Sequence, residues 1–356
     1  MRAPRPRPAS ALPWLARALA PAACVLLAAG CPKRRGPPAP PVPAAAPSSP
    51  AQARPDGGPP DEAAEGWRLL FRSGFEPDVR LLAGNALSGD LVGRDRSVAP
   101  DPGDWEADLE KGPLLGRFSI QYQGGTPAQR WAALVSDPTN PENRVLEFVL
   151  AEPNVPPARG GPKGRVQANL YGNQGLREFV LGLRFYLDEG FDLLARAQQS
   201  FRWLTLCEFW NNAGWREEYP FRVSLNVVKT SPGPEVGLSL AVRAQVQEGH
   251  RFRTLWERQD PKAPLPLRRW IGLRLWVREG GPQSGRLALW LRPEGHPWQR
   301  VCEVVGATRH PDDPAPDGFA HLNPMKLYTS AALLDALAAR GRRLRVLWDD
   351  VSLRSR

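Results

Sequence analysis

Histidine, methionine and cysteine are scarce in this chain: four His, two Met and four Cys in 356 residues. No His-Glu-x-x-His run is present, so a helix-borne zinc site is excluded, and no glycine-rich phosphate loop or serine nucleophile elbow appears. No internal repeat is visible, which argues against solenoids and propellers. No basic run is interleaved with aromatics, so a nucleic-acid partner is not expected. Long apolar runs are also missing. The N-terminal apolar stretch is interrupted by Arg17 and Pro21, and it falls short of the roughly 20 residues a spanning helix needs.

What the N-terminus does hold is a basic start (Arg2, Arg5, Arg7), an Ala/Leu-rich stretch, and Leu27-Ala28-Ala29-Gly30-Cys31. This run resembles the lipobox of bacterial lipoproteins. The resemblance implies a signal over residues 1–30, cleavage before Cys31 and lipid on its sulfur. More than one acyl chain gives a durable membrane tether. Pro32 stands where an Asp often marks inner-membrane retention, so the resemblance implies the outer membrane of the cell envelope. Residues 31–65 follow as a Pro/Ala-rich spacer, extended at about 3.1 Å per residue where its prolines dominate.

The formal charge is +10. Removing the four signal arginines from that figure leaves +6. The surplus suits an acidic polysaccharide or an envelope surface. Cys24 leaves with the signal, and Cys207 and Cys302 remain, both in apolar runs. In an oxidising compartment they form either a disulfide or two buried thiols.

From Trp67 onward, short apolar or alternating runs recur between Gly, Pro, Asn and Asp. Within 177–187, Phe179, Leu181, Leu183, Phe185 and Leu187 keep strict period two, the pattern of a half-buried strand. Runs at 144–151, 221–228, 236–245, 270–278 and 286–292 read the same way. The best helix is 331–340, closed by Gly341. Residues 78–115 show little pattern and read as loops. Many antiparallel strands joined by turns predict an all-β sandwich or jelly roll over 66–356, as a monomer.

Phe71-Arg72-Ser73-Gly74-Phe75-Glu76, the 268–290 stretch and Leu347-Trp348-Asp349-Asp350-Val351 together resemble the concanavalin A-like lectin/glucanase jelly rolls, nearest the laminin G-like and polysaccharide lyase-like domains. The resemblance implies a structural Ca²⁺ between the first and last strands, held by Glu76, Asp349 and Asp350; calcium takes six to eight oxygens. It also implies a concave sheet carrying three motifs of the alginate lyase-like families. Residues 165–171 (RVQANLY) match the first, with Arg165 and Asn169. Cys207-Glu208-Phe209-Trp210 stands at the second, with Glu208 replacing Gln and Trp210 replacing His. Lys326-Leu327-Tyr328 matches the third.

By that resemblance Arg165, Lys326 and Tyr328 are the candidate catalytic residues for elimination on a sugar acid, a reaction needing proton removal, carboxylate neutralisation and leaving-group protonation. The expected His is missing from its strand; His310 and His321 fall in the loop before the third motif and read as surface residues, with standing in for the missing His as the alternative that no spacing requires. The hydrolase branch needs carboxylates about 5–5.5 Å apart on one strand, and Glu208-Phe209-Trp210-Asn211-Asn212 supplies only one. Altered catalytic positions favour binding over catalysis, with an active lyase and a protein-binding envelope module as the alternatives. Twelve Trp follow Cys31, and indoles stack on sugar CH faces. The expected binding set is Asn169, Glu208, Trp210, Asn212, Trp215, Arg222 and Asn226.

Overall fold

Alternation decides the architecture. In the strand Lys163–Tyr171, Val166, Ala168 and Leu170 are buried in the core while Arg165, Gln167, Asn169 and Tyr171 take the opposite face. The same period two repeats in strand after strand and builds two sheets that meet through their apolar faces.

The structure is a computed structural model. It describes residues 58–59, 66–112, 114–156, 161–212, 218–249, 251–260 and 263–356. The signal, Cys31 and Trp215 lie outside the described residues, as does all of the expected spacer except 58–59. By its contacts the chain divides into residues 1–52 and 53–356, and every described residue falls in the second unit.

The strands in chain order are β1 (Arg68–Ser73), β2 (Arg80–Asn85), β3 (Ser88–Val92), β4 (Arg117–Gln121), β5 (Arg130–Ser136), β6 (Arg144–Leu150), β7 (Lys163–Tyr171), β8 (Glu178–Leu187) and β9 (Thr205–Asn211). Then come β10 (Phe221–Val228), β11 (Ser239–Glu248), β12 (Arg251–Gln259), β13 (Trp270–Arg278), β14 (Arg286–Pro293), β15 (Gln299–Val305), β16 (His321–Asn323), β17 (Lys326–Ser330) and β18 (Leu344–Ser355). Helix α1 spans Glu189–Arg196 and α2 spans Ala331–Ala338.

One sheet has eight strands ordered β15-β14-β13-β8-β18-β6-β5, with β1 also on β18. The other has ten, ordered β12-β11-β10-β9-β16-β7-β4-β3-β2, with β17 on β7 and β9. All the pairings are antiparallel. The chain is therefore the all-β antiparallel sandwich that its alternation predicts. Phe148, Phe179, Phe185, Phe209, Phe221 and Trp348 sit between the sheets with no more than 0% of their surface exposed. Each such side chain contributes about 1.5–3 kcal/mol, so apolar burial and not surface ion pairing holds the layers together.

One expectation is corrected, and one open choice is decided. Residues 78–115 are not only loops: they form β2, β3, a 3₁₀ turn (Arg96–Val98) and one wide helical turn (Trp105–Glu110). β2 is an edge strand that is largely exposed, so it carries no alternation to read. In the wide turn, Trp105 plugs one end of the core against Phe71, Phe75 and Phe118, and Asp104 caps it by accepting from the Glu106 and Ala107 amides. Second, Cys207 and Cys302 are free thiols. Cys207 faces the core from β9, where its Sγ donates to the Pro324 carbonyl at 2.9 Å. Cys302 lies on β15, at the edge of the other sheet.

The expected calcium ligands do converge. β18 pairs with β6 up to Trp348 and with β1 from Val351 onward, and Asp349 and Asp350 fall in the gap. Their side chains and Asp95 each place an oxygen 3.6–3.7 Å from where a Cβ on Gly74 would lie, and Asp95 and Asp350 both act on the charge of Glu76. Yet the set does not fit calcium. Arg184 contacts Asp349 and pairs with Asp350 at 2.8 Å, while Asp95 is taken up by Ser73, Gly74 and Ser97. The guanidinium takes the Oδ2 atoms of Asp349 and Asp350, while their Oδ1 atoms face Gly74. Among the described residues no group of three or more His, Cys, Asp or Glu side chains is arranged to hold a metal ion.

Candidate functional site

The open face of the ten-stranded sheet carries a cleft of ≈ 950 Å³. Its floor is built by β7, β9 and the pair β16–β17, which lie end to end between them. β7 contributes Arg165, Gln167, Asn169 and Tyr171, β9 Glu208 and Trp210, and β16–β17 His321, Asn323 and Lys326.

The break between β16 and β17 makes this convergence. His321 and Asn323 are odd-numbered and Lys326 and Tyr328 even, so one continuous strand would put the pairs on opposite faces. Pro324 and Met325 interrupt the strand. Met325 turns into the core with its carbonyl accepting from the Ala168 amide at 2.9 Å, and Pro324 accepts from Cys207. The extra step restores the face: Lys326 pairs across from Gln167 and Tyr328 from Arg165. Upstream, Gly318 at φ +107° turns the chain into β16, where a Cβ would come within 2.8 Å of the Leu176 backbone.

Three charges are locked together. Glu208 and Lys326 are each 2% exposed and in direct contact, and Arg222 from β10 holds the other Glu208 oxygen at 2.5 Å. Burial opposes ionisation of Glu208, but Lys326 and Arg222 override it and hold its carboxyl down at about 2. Burial, with Arg165 nearby, pushes the Lys326 ammonium down to about 8 despite the pull of Glu208. The carboxylate is thus neutralised from both sides, and the local surplus is positive.

Beside this triad sits an amide–imidazole network. Asn169 Oδ1 accepts from Gln167 Nε2 at 2.7 Å and Asn323 Nδ2 at 2.6 Å, and lies 3.1 Å from His321 Nε2. Burial, with Lys326 close by, pushes the His321 ring down to about 4, so it is neutral at ordinary pH. Three buried polar atoms of this floor have no protein partner: Arg165 Nε, Gln167 Oε1 and Asn169 Nδ2. Such atoms are costly unless something binds them.

The expected residues are therefore distributed as follows. Arg165, Asn169, Glu208, Trp210 and Lys326 meet in the cleft. Tyr328 borders it, its ring 5.5 Å from the Arg165 guanidinium, 5.3 Å from Lys326 Nζ and 5.0 Å from Trp203. Arg222 reaches it through Glu208. Asn226 is buried and accepts from Thr205 at 2.9 Å. Asn212 turns away and donates to Asp313 at 2.9 Å. His321 is corrected: it is a buried strand residue lying directly across from Trp210 on the neighbouring strand. An imidazole therefore lies on the strand beside β9. A three-residue strand is too short to show a period, so the sequence carried no signal for it.

No family model matches the chain, and no curated protein matches it. Several solved structures are similar. The marine PL-14 alginate lyase from Aplysia kurodai is 12% identical, with 77% of this chain and 100% of that chain covered and a TM-score of 0.44. Alginate lyase Aly36B is 12% identical, with 65% and 86% covered and a TM-score of 0.39. The catalytic domain of a GH131 β-glucanase from Podospora anserina is 13% identical, with 65% and 84% covered and a TM-score of 0.32. Likenesses at this level do not decide what this chain binds.

Proposed function

We propose that the cleft binds an acidic polysaccharide, with sugar carboxylates over Arg165 and Lys326 and sugar rings against Trp210 and Tyr171. The carrying observation is the cleft floor itself: a guanidinium whose buried Nε has no partner, set beside orphaned amide atoms in an open cavity. A carboxylate accepts from guanidinium and ammonium, and hydroxyls both donate and accept, so a uronate fits this mixture of groups. Calorimetric titration with alginate, pectate and hyaluronan oligosaccharides against a neutral glucan tests it. Binding only to the acidic sugars, weakened at least tenfold by Arg165→Ala, supports it. Equal affinity for the neutral glucan overturns it.

A second reading, elimination on the same substrate class, is favoured by His321. His321 Nε2 lies 3.1 Å from Asn169 Oδ1, which calls for an N–H there, and 3.2 Å from Asn323 Nδ2, which calls for a lone pair; in the first tautomer the lone pair falls on Nδ1, and the ring, pushed down to about 4, is unprotonated at pH 7 and a weak base. Tyr171, its ring 6.2 Å from His321, is the hydroxyl available for proton transfer to the leaving oxygen. A rise in unsaturated-uronate ultraviolet absorbance that is lost in His321→Ala is the expected sign. No rise on any acidic glycan leaves binding as the function.

In this reading the domain is held at the outer membrane through Cys31. Metabolic palmitate labelling that disappears in Cys31→Ala is the expected result.

A further inference from the structure

β12 is the outermost strand of the ten-stranded sheet, three strands beyond β9. At the usual spacing of about 4.8 Å per strand that separation is about 14 Å. Yet Phe252, near the start of β12, reaches back to the cleft: its ring lies 6.1 Å from that of Trp210. Arg222 flanks the pair, with its guanidinium 3.6 Å from the Phe252 centroid and 5.6 Å from the Trp210 centroid. Arg222 is fixed in turn by Glu208 at 2.5 Å and by Gln245, which accepts from its Nε at 3.0 Å.

The Phe252 ring is thus held in place by a cation anchored in the cleft floor. It is 39% exposed and one of the few large apolar side chains that are exposed among the described residues. It takes no part in the buried core. An oriented apolar ring beside bound charge and amide groups is the pairing a pyranose requires. Its CH face packs on the ring while its polar edge meets Gln245 and Thr254, which are hydrogen-bonded to each other at 3.1 Å.

We infer that Phe252, set by Arg222, forms a sugar-stacking subsite at the Trp210 end of the cleft, so that the protein selects long acidic chains over short ones. The inference rests on the acidic-polysaccharide reading above. On this reading a disaccharide held over Arg165 and Lys326 leaves Phe252 uncovered, and a hexasaccharide covers it.

The test is calorimetric titration of the wild type, Phe252→Ala and Phe252→Trp with alginate, pectate and hyaluronan, each as disaccharide and hexasaccharide. The wild type is expected to bind one of the hexasaccharides at least tenfold more tightly than its disaccharide. Phe252→Ala should lose about tenfold on the hexasaccharide and nothing on the disaccharide, and Phe252→Trp should restore the loss. If Phe252→Ala binds the hexasaccharide like the wild type, the subsite is overturned and the cleft reading stands. Equal loss for both lengths also overturns it, because the ring then serves only to prop Arg222. If the wild type binds none of the sugars, the acidic-polysaccharide reading fails and the subsite with it.

Discussion

Glu208 shows how a single buried carboxylate organises a surface for anions. Its charge is balanced by Lys326 and Arg222, and removing it leaves the buried Lys326 without a counter-charge and the part-buried Arg222 with Gln245 alone. Glu208→Ala is expected to lower stability by about 3–5 kcal/mol, read from urea unfolding. Adding Lys326→Ala to that variant should recover part of the loss, because one stranded charge is then gone. Lys326 also sets the pH response. Its ammonium titrates at about 8, so affinity for an acidic sugar should hold from pH 5 to 7 and fall as pH rises through 8. His321, at about 4, adds no charge in that window. An affinity that is flat from pH 6 to 10 would remove Lys326 from anion binding. The charged residues of this site were legible as motif positions in the sequence, whereas their pairing was not, because Glu208 and Lys326 are 118 residues apart.

The interruption in β18 is the element with its own measurable signature. Burial and the neighbouring Asp350 push the Asp349 carboxyl up to about 6, although Arg184 and Asn143 hold it on the other side. An unfolded Asp titrates near 3.9. The folded state therefore binds the proton more tightly, and stability should decline as pH rises from about 4 to about 6. Chemical denaturation across that range should show the decline in the wild type and a flatter profile in Asp349→Asn. Since Arg184 meets this charge, added calcium should leave the melting temperature unchanged. A rise with calcium that vanishes in Asp350→Ala would reinstate the ion. β18 was readable from Leu347-Trp348 onward as a last strand, and its acids were visible, but the arginine facing them comes from β8. Likewise β13 and β14 announce themselves by alternation, whereas β16 has three residues and acquires its role only by lying between β7 and β9.

Taken as a whole, the domain is stabilised by one continuous apolar layer. Residues 66–356 are therefore expected to unfold in a single transition, at a melting temperature unchanged by loss of residues 1–65. Scanning calorimetry on both forms checks this. Cys207 and Cys302 are free, so reductant should not shift that temperature. Period-two runs and turn residues were enough to determine the all-β class, most of the long strands and helix α2, because alternation is a local consequence of one face being buried. Register, the strand neighbours, the Pro324–Met325 break, the free thiols and the placement of His321 and Phe252 were decided only by packing. Each depends on which distant strand lies alongside, and that contact is chosen by the burial of the whole sandwich and not by any local stretch of chain.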